Sequence, residues 1–274
     1  MADDFEVKVG QGMEATSASP CGTFQENGLV ISHLSVMRGG ERIVDDVSFV
    51  VPRGEVLGLI GPNGAGKSST IGGLLGFYPL SSGAIQFQKW TTTKDQPMPI
   101  EMKKRIAYIP EQPMYYPDLT LAEHFEWKLR LWRDIDGVEV RKRLTQLCSR
   151  FQLDSHLDKF PHQCSKGTLQ KMMVISAFLF PFDVLVVDEP FIGLDVIAIR
   201  EIRQMIEDAR LGGAAVLVST HVLDSAERMC QRFAFMDQGQ VFAFGTLAEL
   251  HSLSQETQNS LEDLFLYLLY QTDK

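Results

Sequence analysis

The chain has little cysteine, a deficit of basic charge and no long hydrophobic run. Its four cysteines, Cys21, Cys148, Cys164 and Cys230, are widely scattered, with no C-x-x-C pair and no Cys/His cluster at zinc spacing. They do not form a disulfide scaffold or a zinc module, and they read as reduced cytosolic thiols. Lys and Arg number 26 against 35 Asp and Glu, a net charge of −9, which argues against a general nucleic-acid binder relying on basic clusters. The two basic runs, Lys103-Lys104-Arg105 and Arg141-Lys142-Arg143, read as solvated helix faces. The longest apolar stretch, Val174 to Val187, is broken by Pro181 and Asp183 and falls short of the roughly 20 residues needed to cross a bilayer. Any membrane role must therefore run through a partner. Residues 1–20 are acidic and polar without an apolar signal core, and residues 1–26 are predicted to be a disordered leader.

Hydrophobic residues make up 45% of the 274 positions, enough for a sizeable core in one large α/β domain. Alternating apolar residues predict strands at Leu29–Val36 and Ile43–Val51 joined by Arg38-Gly39-Gly40, an antiparallel opening layer. A buried strand, Glu55–Ile60, then runs into Gly61-Pro62-Asn63-Gly64-Ala65-Gly66-Lys67-Ser68, with a helix predicted from Lys67. This octet fits G-x-x-x-x-G-K-[ST] in its strand–loop–helix setting. Backbone N–H groups of such a loop close around phosphate oxygens, the Lys67 ammonium reaches the β- and γ-phosphates, and the Ser68 hydroxyl ligates Mg²⁺.

Short strands are predicted at Ile85–Phe87 and Ile106–Ile109, with a loop at Thr91–Pro99 between them. From Leu119 to Leu153 the periodicity becomes helical, Leu121, Phe125, Leu129 and Trp132 making one core stripe. A helix follows Gly167 through Phe180, then a strand at Val184–Val187, a helix at Val196–Arg210 and a strand at Ala214–Ser219, the alternation of a parallel sheet. Phe233–Met236 and Val241–Phe244 flank a hairpin turn. The spacing of Leu261, Leu264, Phe265, Leu268 and Leu269 predicts an amphipathic helix packed on its own domain.

The apolar strand at Val184 ends in Asp188-Glu189, so both carboxylates emerge at the C-terminal edge of the sheet beside the glycine-rich loop. Asp188 is placed to serve a metal's water shell, and Glu189 to orient and polarise an attacking water as general base. Cys164-Ser165-Lys166-Gly167 opens the preceding helix. Its hydroxyl and N–H groups at a helix N-terminus suit a phosphate.

In this order the segments resemble the ATP-binding cassette ATPases, the nucleotide-binding subunits of ABC transporters, from about Leu29 to the C-terminus. The resemblance implies an α/β fold, a P-loop NTPase cassette over residues 27–274. This has a parallel-sheet core, an antiparallel β subdomain, a helical subdomain inserted at about 113–166 and a C-terminal amphipathic helix at about 260–271. It implies ATP and Mg²⁺, nucleotide contacts from Gly61 through Ser68 and Ser69, and metal ligation by Ser68 and Asp188. Catalysis would fall to Glu189, His221 and Lys67. Ser165, Lys166 and Gly167 stand at the signature segment, where the family has Leu-Ser-Gly-Gly-Gln, and would meet the γ-phosphate held by the opposite subunit. Asp195, in Gly193-Leu194-Asp195, resembles the D-loop residue, and His221, ending Val218-Ser219-Thr220-His221, the switch histidine. Tyr108-Ile109-Pro110-Glu111-Gln112 resembles the Q-loop with either Glu111 or Gln112 in the sensing role. Arg38 stands where the family has an aromatic to stack adenine, and its planar guanidinium can stack on a base.

At finer grain, Phe160 to Gly167 and Asp188 to Asp195 look like the Ecs-type branch, associated with export, including of peptides. The implied partners are a second ATP-binding subunit, as a homodimer, and an integral membrane permease, with no nucleic acid. The implied location is the cytoplasmic face of the membrane. The alternative is a soluble cassette ATPase or a regulatory subunit not coupled to transport. A chromosome-structuring ATPase would need sustained heptads and a translation-associated cassette protein a second phosphate loop; the sequence has neither. A simple kinase or GTPase leaves Ser165-Lys166-Gly167 and His221 unexplained.

Overall fold

Alternation of apolar and polar residues sets the first layer. In a computed structural model, which describes residues 28–132, 137–191, 193–254 and 260–272, β1 (Gly28–Arg38) and β2 (Glu41–Pro52) form an antiparallel pair about Gly39-Gly40. The leader expected at 1–26 lies outside the described residues. After β3 (Val56–Ile60) and α1 (Lys67–Leu74), β4 (Leu80–Phe87) and β5 (Trp90–Thr93) complete a four-stranded sheet of order β2-β1-β4-β5. The fourth strand corrects the loop predicted at Thr91–Pro99. Trp90 to Thr93 pair with β4, Ala84 opposite Thr93 and Phe87 opposite Trp90, because three consecutive threonines suit a pleated, half-buried edge.

The chain continues through α2 (Ile100–Lys103), β6 (Ile106–Ile109), α3 (Leu121–Leu131), α4 (Gly137–Arg150) and α5 (Lys166–Phe178). Next come β7 (Val184–Asp188), α6 (Val196–Leu211), β8 (Ala215–Thr220) and α7 (Leu223–Met229). The hairpin β9 (Arg232–Asp237) and β10 (Gln240–Thr246), then α8 (Leu247–Ser252) and α9 (Leu261–Thr272), end it. The second sheet has six strands in the order β10-β9-β3-β8-β7-β6, parallel at every pairing except the β9–β10 hairpin.

The central strands β3, β7 and β8 are buried on both faces, and alternate residues feed two cores. Leu57, Leu59, Val184, Val186 and Leu217 face the antiparallel layer and α1, while Val56, Ile60, Leu185, Val187 and Val216 face the helices. The predicted stripe on α3 holds: Leu121 and Phe125 are buried, and Trp132 stacks on Phe180 at 4.7 Å between ring centroids. Leu121, Phe125, Leu147 and Phe151 belong to the same core as α5 and α6, so the helical insert shares its packing with the sheet domain. The C-terminal helix packs back on the chain, with Phe265 against Phe235 and Phe242. The basic runs face solvent, as expected: Lys103, Arg105, Arg141, Lys142 and Arg143 are all exposed, and the ion pairs they make lie at the surface. Arg105 pairs with Asp183 at 3.4 Å, and Arg141 pairs with Glu126 across α3 and α4.

Candidate active site

Strands β3, β8 and β7 are neighbours, so the residues leaving their C-terminal ends converge on one edge of the sheet. Here β3 runs into the glycine-rich loop. A Cβ added at Gly61 would lie 2.1 Å from the Met236 carbonyl oxygen of β9, so the loop leaves its strand at a point only glycine can occupy. The Lys67 ammonium donates to the carbonyls of Gly61 (2.7 Å) and Pro62 (3.0 Å) and stands 3.8 Å from Glu189 Oε1. Burial pushes its pKa down; Glu189, Asp188 and Glu111 oppose that shift.

The register of β7 against β8 places Asp188 opposite Ser219. The Ser219 hydroxyl, fully buried, donates to Asp188 Oδ1, which also accepts from Ser68 Oγ at 3.3 Å. Desolvation pushes the Asp188 pKa up; these two hydroxyls and Lys67 favour its charged form, and Glu111 disfavours it. Glu189 follows with φ of +47°, a left-handed backbone unusual for a side chain of this size. Its N–H donates to Ser219 O at 3.2 Å and lies 3.3 Å from Ser219 Oγ, fixing the bend that turns its carboxylate inward. Glu189 Oε1 is 2.8 Å from His221 Nδ1. The three residues assigned catalytic roles, Lys67, Glu189 and His221, are thus joined around one carboxylate oxygen.

Glu111 and Gln112 bond to each other, Gln112 Nε2 donating to Glu111 Oε1 at 3.3 Å. The Glu111 charge bears on Lys67, Asp188 and Tyr108, so this segment lies close enough to the site to act on it. Arg38, at the end of β1, lies over the ring of Tyr78 with 5.3 Å to its centroid, so one guanidinium face is already stacked.

Ser165 caps α5, its hydroxyl accepting from Thr168 N at 3.1 Å, and both Ser165 and Lys166 are exposed. A Cβ at Gly167 would come within 2.9 Å of the Gly193 carbonyl, so glycine here lets the two segments touch. Asp195 caps α6 by accepting from Ala198 N at 2.8 Å and pairs with Lys171 Nζ of α5 at 2.9 Å. Among the described residues, no hydrogen bond or ion pair joins Ser165, Lys166 or Gly167 to Lys67, Asp188 or Glu189. Sequence reasoning missed Ser219, Lys171 and Gln170, whose Nε2 donates to Pro110 O at 2.8 Å beside Glu111. Register against Asp188 would have found Ser219; nothing local marks the other two.

The described residues hold no cluster of three or more His, Cys, Asp or Glu suited to a metal by themselves. The oxygen donors Ser68 and Asp188, adjacent and hydrogen-bonded, do fit Mg²⁺, which binds through one or two protein oxygens plus phosphate and water. Among the described residues, no helix is long and apolar enough to cross a membrane.

Known proteins place this arrangement. The family model described as ABC transporter matches residues 44–192. The chain is 38% identical over 226 residues to the ABC-type transporter ATP-binding protein EcsA of Bacillus subtilis (strain 168), covering 82% of this chain and 90% of that one. A solved ATP-binding subunit of an ABC transporter superposes with a TM-score of 0.80 at 35% identity, covering 88% of this chain and 99% of that chain. The dimeric ATP-binding cassette MJ0796 bound to ADP and Pi shares the fold, with a TM-score of 0.70 at 22% identity over 80% of this chain and 98% of that one. A chain with this loop, this carboxylate pair and these relatives belongs to the ABC transporter family, as an ATP-binding subunit that hydrolyses ATP.

Proposed function

We propose that the chain powers export, with peptides as the cargo class, through a separate membrane permease, working as a homodimer of cassettes. The observation that carries the catalytic part is the single oxygen of Glu189 held by His221 Nδ1 and Lys67 Nζ. Backbone N–H groups from Asn63 to Ser69 hold the ATP phosphates, and Lys67 neutralises the γ-phosphate. Glu189 accepts the proton of the attacking water, and His221 fixes the carboxylate's orientation. Ser68 and Asp188 would hold Mg²⁺, which supplies charge neutralisation at the β- and γ-phosphate oxygens when bound. Adenine stacks on the face of Arg38 turned away from Tyr78.

The dimer follows from separation. Ser165, Lys166 and Gly167 make no bond to the hydrolytic residues of their own chain, so they are free to complete the site of a second copy, linked to it through Asp195 and Lys171. The name of the MJ0796 structure, a dimeric cassette, agrees with this reading. The exposed aromatics Tyr115, Tyr116 and Trp127, with Tyr116 edge-on to Trp127 at 5.2 Å, lie just past Glu111-Gln112 and suit a helix of the permease. Similarity to EcsA supports the transporter assignment; the export direction and the peptide cargo rest on the Ecs-type resemblance. Glu189→Gln is expected to abolish steady-state ATP turnover while retaining nucleotide, giving an ATP-dependent doubling of mass by light scattering. A chain that stays monomeric with ATP would overturn the dimer mechanism.

A further inference from the structure

We propose that the acidic N-terminal segment, residues 1–27, docks in a cavity between α4 and α6 and so ties the helical insert to the sheet core. The cavity measures about 350 Å³, and none of the hydrolytic residues lines it. Its apolar wall is Leu147, Phe178, Phe182 and Met205, and its rim carries Arg143 and Arg150 with one acid, Asp208, which accepts from Gln204 at 2.9 Å. Arg150 pairs with Glu201, whereas Arg143 is exposed and makes no ion pair among the described residues. An apolar wall under an uncompensated guanidinium suits a ligand that is apolar on one side and anionic on the other.

Residues 1–27 have that character. They contain Asp3, Asp4, Glu6, Glu14 and Glu26 against the lone basic residue Lys8, in a chain where basic groups are already scarce. Within Asp4-Phe5-Glu6-Val7-Lys8-Val9 apolar and charged residues alternate strictly, so an extended backbone would present Phe5, Val7 and Val9 to one side and Asp4, Glu6 and Lys8, a net negative face, to the other. The segment also joins the fold near the cavity. Gly28 pairs with Pro52, the next residue Arg53 bonds Asp183 at 3.3 Å, and Asp183 follows Phe182 of the cavity wall. A second contact leads to the same wall, Arg210 Nη1 donating to Gly54 O at 3.2 Å beside the cavity residue Ala209. Twenty-seven residues reach up to about 90 Å when extended, so length sets no limit.

Because α4 belongs to the insert and α6 to the sheet core, a segment seated between them restrains movement of one against the other. Its effect on turnover rests on the ATPase reading; its docking does not. The test is hydrogen exchange on the full nucleotide-free chain, compared among wild type, Arg143→Glu, the pair Asp4→Lys with Glu6→Lys, and all three together. Docking predicts that amides of residues 4–9 and of the cavity walls at 144–150 and 203–209 exchange several-fold faster in either reversal and return toward wild type in the combination. Full exposure of residues 4–9 in wild type, or failure of the combined chain to recover protection, would overturn the proposal. Protection that grows with protein concentration would assign the cavity to a second copy instead, and would overturn it equally.

Discussion

Ser219 shows how much of the site depends on a residue that touches no substrate. Its hydroxyl donates to Asp188 while its backbone carbonyl accepts from Glu189 N, so one buried residue positions both acids. Ser219→Ala should lower ATP turnover and Mg²⁺ affinity by about 10–100-fold, the usual cost of losing a partner that orients a ligand, with the fold retained. Magnesium titrations of turnover alongside thermal melts will separate this from simple unfolding; an unchanged Mg²⁺ dependence would remove Ser219 from that role. Along its own strand Ser219 carries no signal, and only the register of β8 against β7, which sets it opposite Asp188, marks it. Lys67, Asp188 and Glu189 were legible because their spacing is imposed by the phosphate chemistry itself. Glu111 and Gln112 were not told apart, because neighbours in sequence differ only in direction and here the two side chains bond to each other.

At the scale of elements, α3 carries an oddity on its inner side. Lys128 donates to the Ser176 carbonyl of α5 at 2.5 Å, and burial pushes its pKa down to about 8. Between about pH 8 and 10.4 the unfolded chain holds this proton and the native chain does not, so stability contributed by this group rises with pH across that window. Lys128→Met should therefore stabilise the protein near pH 7, with the advantage shrinking toward pH 10; melting temperatures of both chains across that range will show it. An advantage independent of pH would mean that packing, not the charge, governs the site. Most elements were legible from periodicity, including the stripe of Leu121 and Phe125 and the C-terminal helix. Strand β5 was not, because Thr91-Thr92-Thr93 between lysines and prolines is as typical of a loop as of an edge, and only its pairing with β4 decides. The capped helix α8 was missed for a similar reason: Thr246 and Glu249 form a capping box on a helix of only six residues.

Taken whole, the molecule is a six-stranded sheet packed between helices on one face and the four-stranded antiparallel layer on the other, with its chemistry gathered along one edge, which leaves the insert's outer surface available for a partner. Replacing Tyr116 and Trp127 by alanine should prevent co-purification of a multi-span protein from gently solubilised membranes while leaving ATP turnover of the isolated subunit within about twofold. Retention of that protein by the variant would move the permease contact elsewhere. The sheet carries a further implication for how such a chain can diversify. Glu189 and His221 leave adjacent strands whose pairing sets Asp188 against Ser219. A single inserted residue in β7 or β8 would exchange inward- and outward-facing side chains along the strand and send an acid into one of the hydrophobic layers. Length changes are therefore confined to segments beyond the strand ends, and cargo or regulation can be rewritten there by insertion without the hydrolytic carboxylate ever shifting its place.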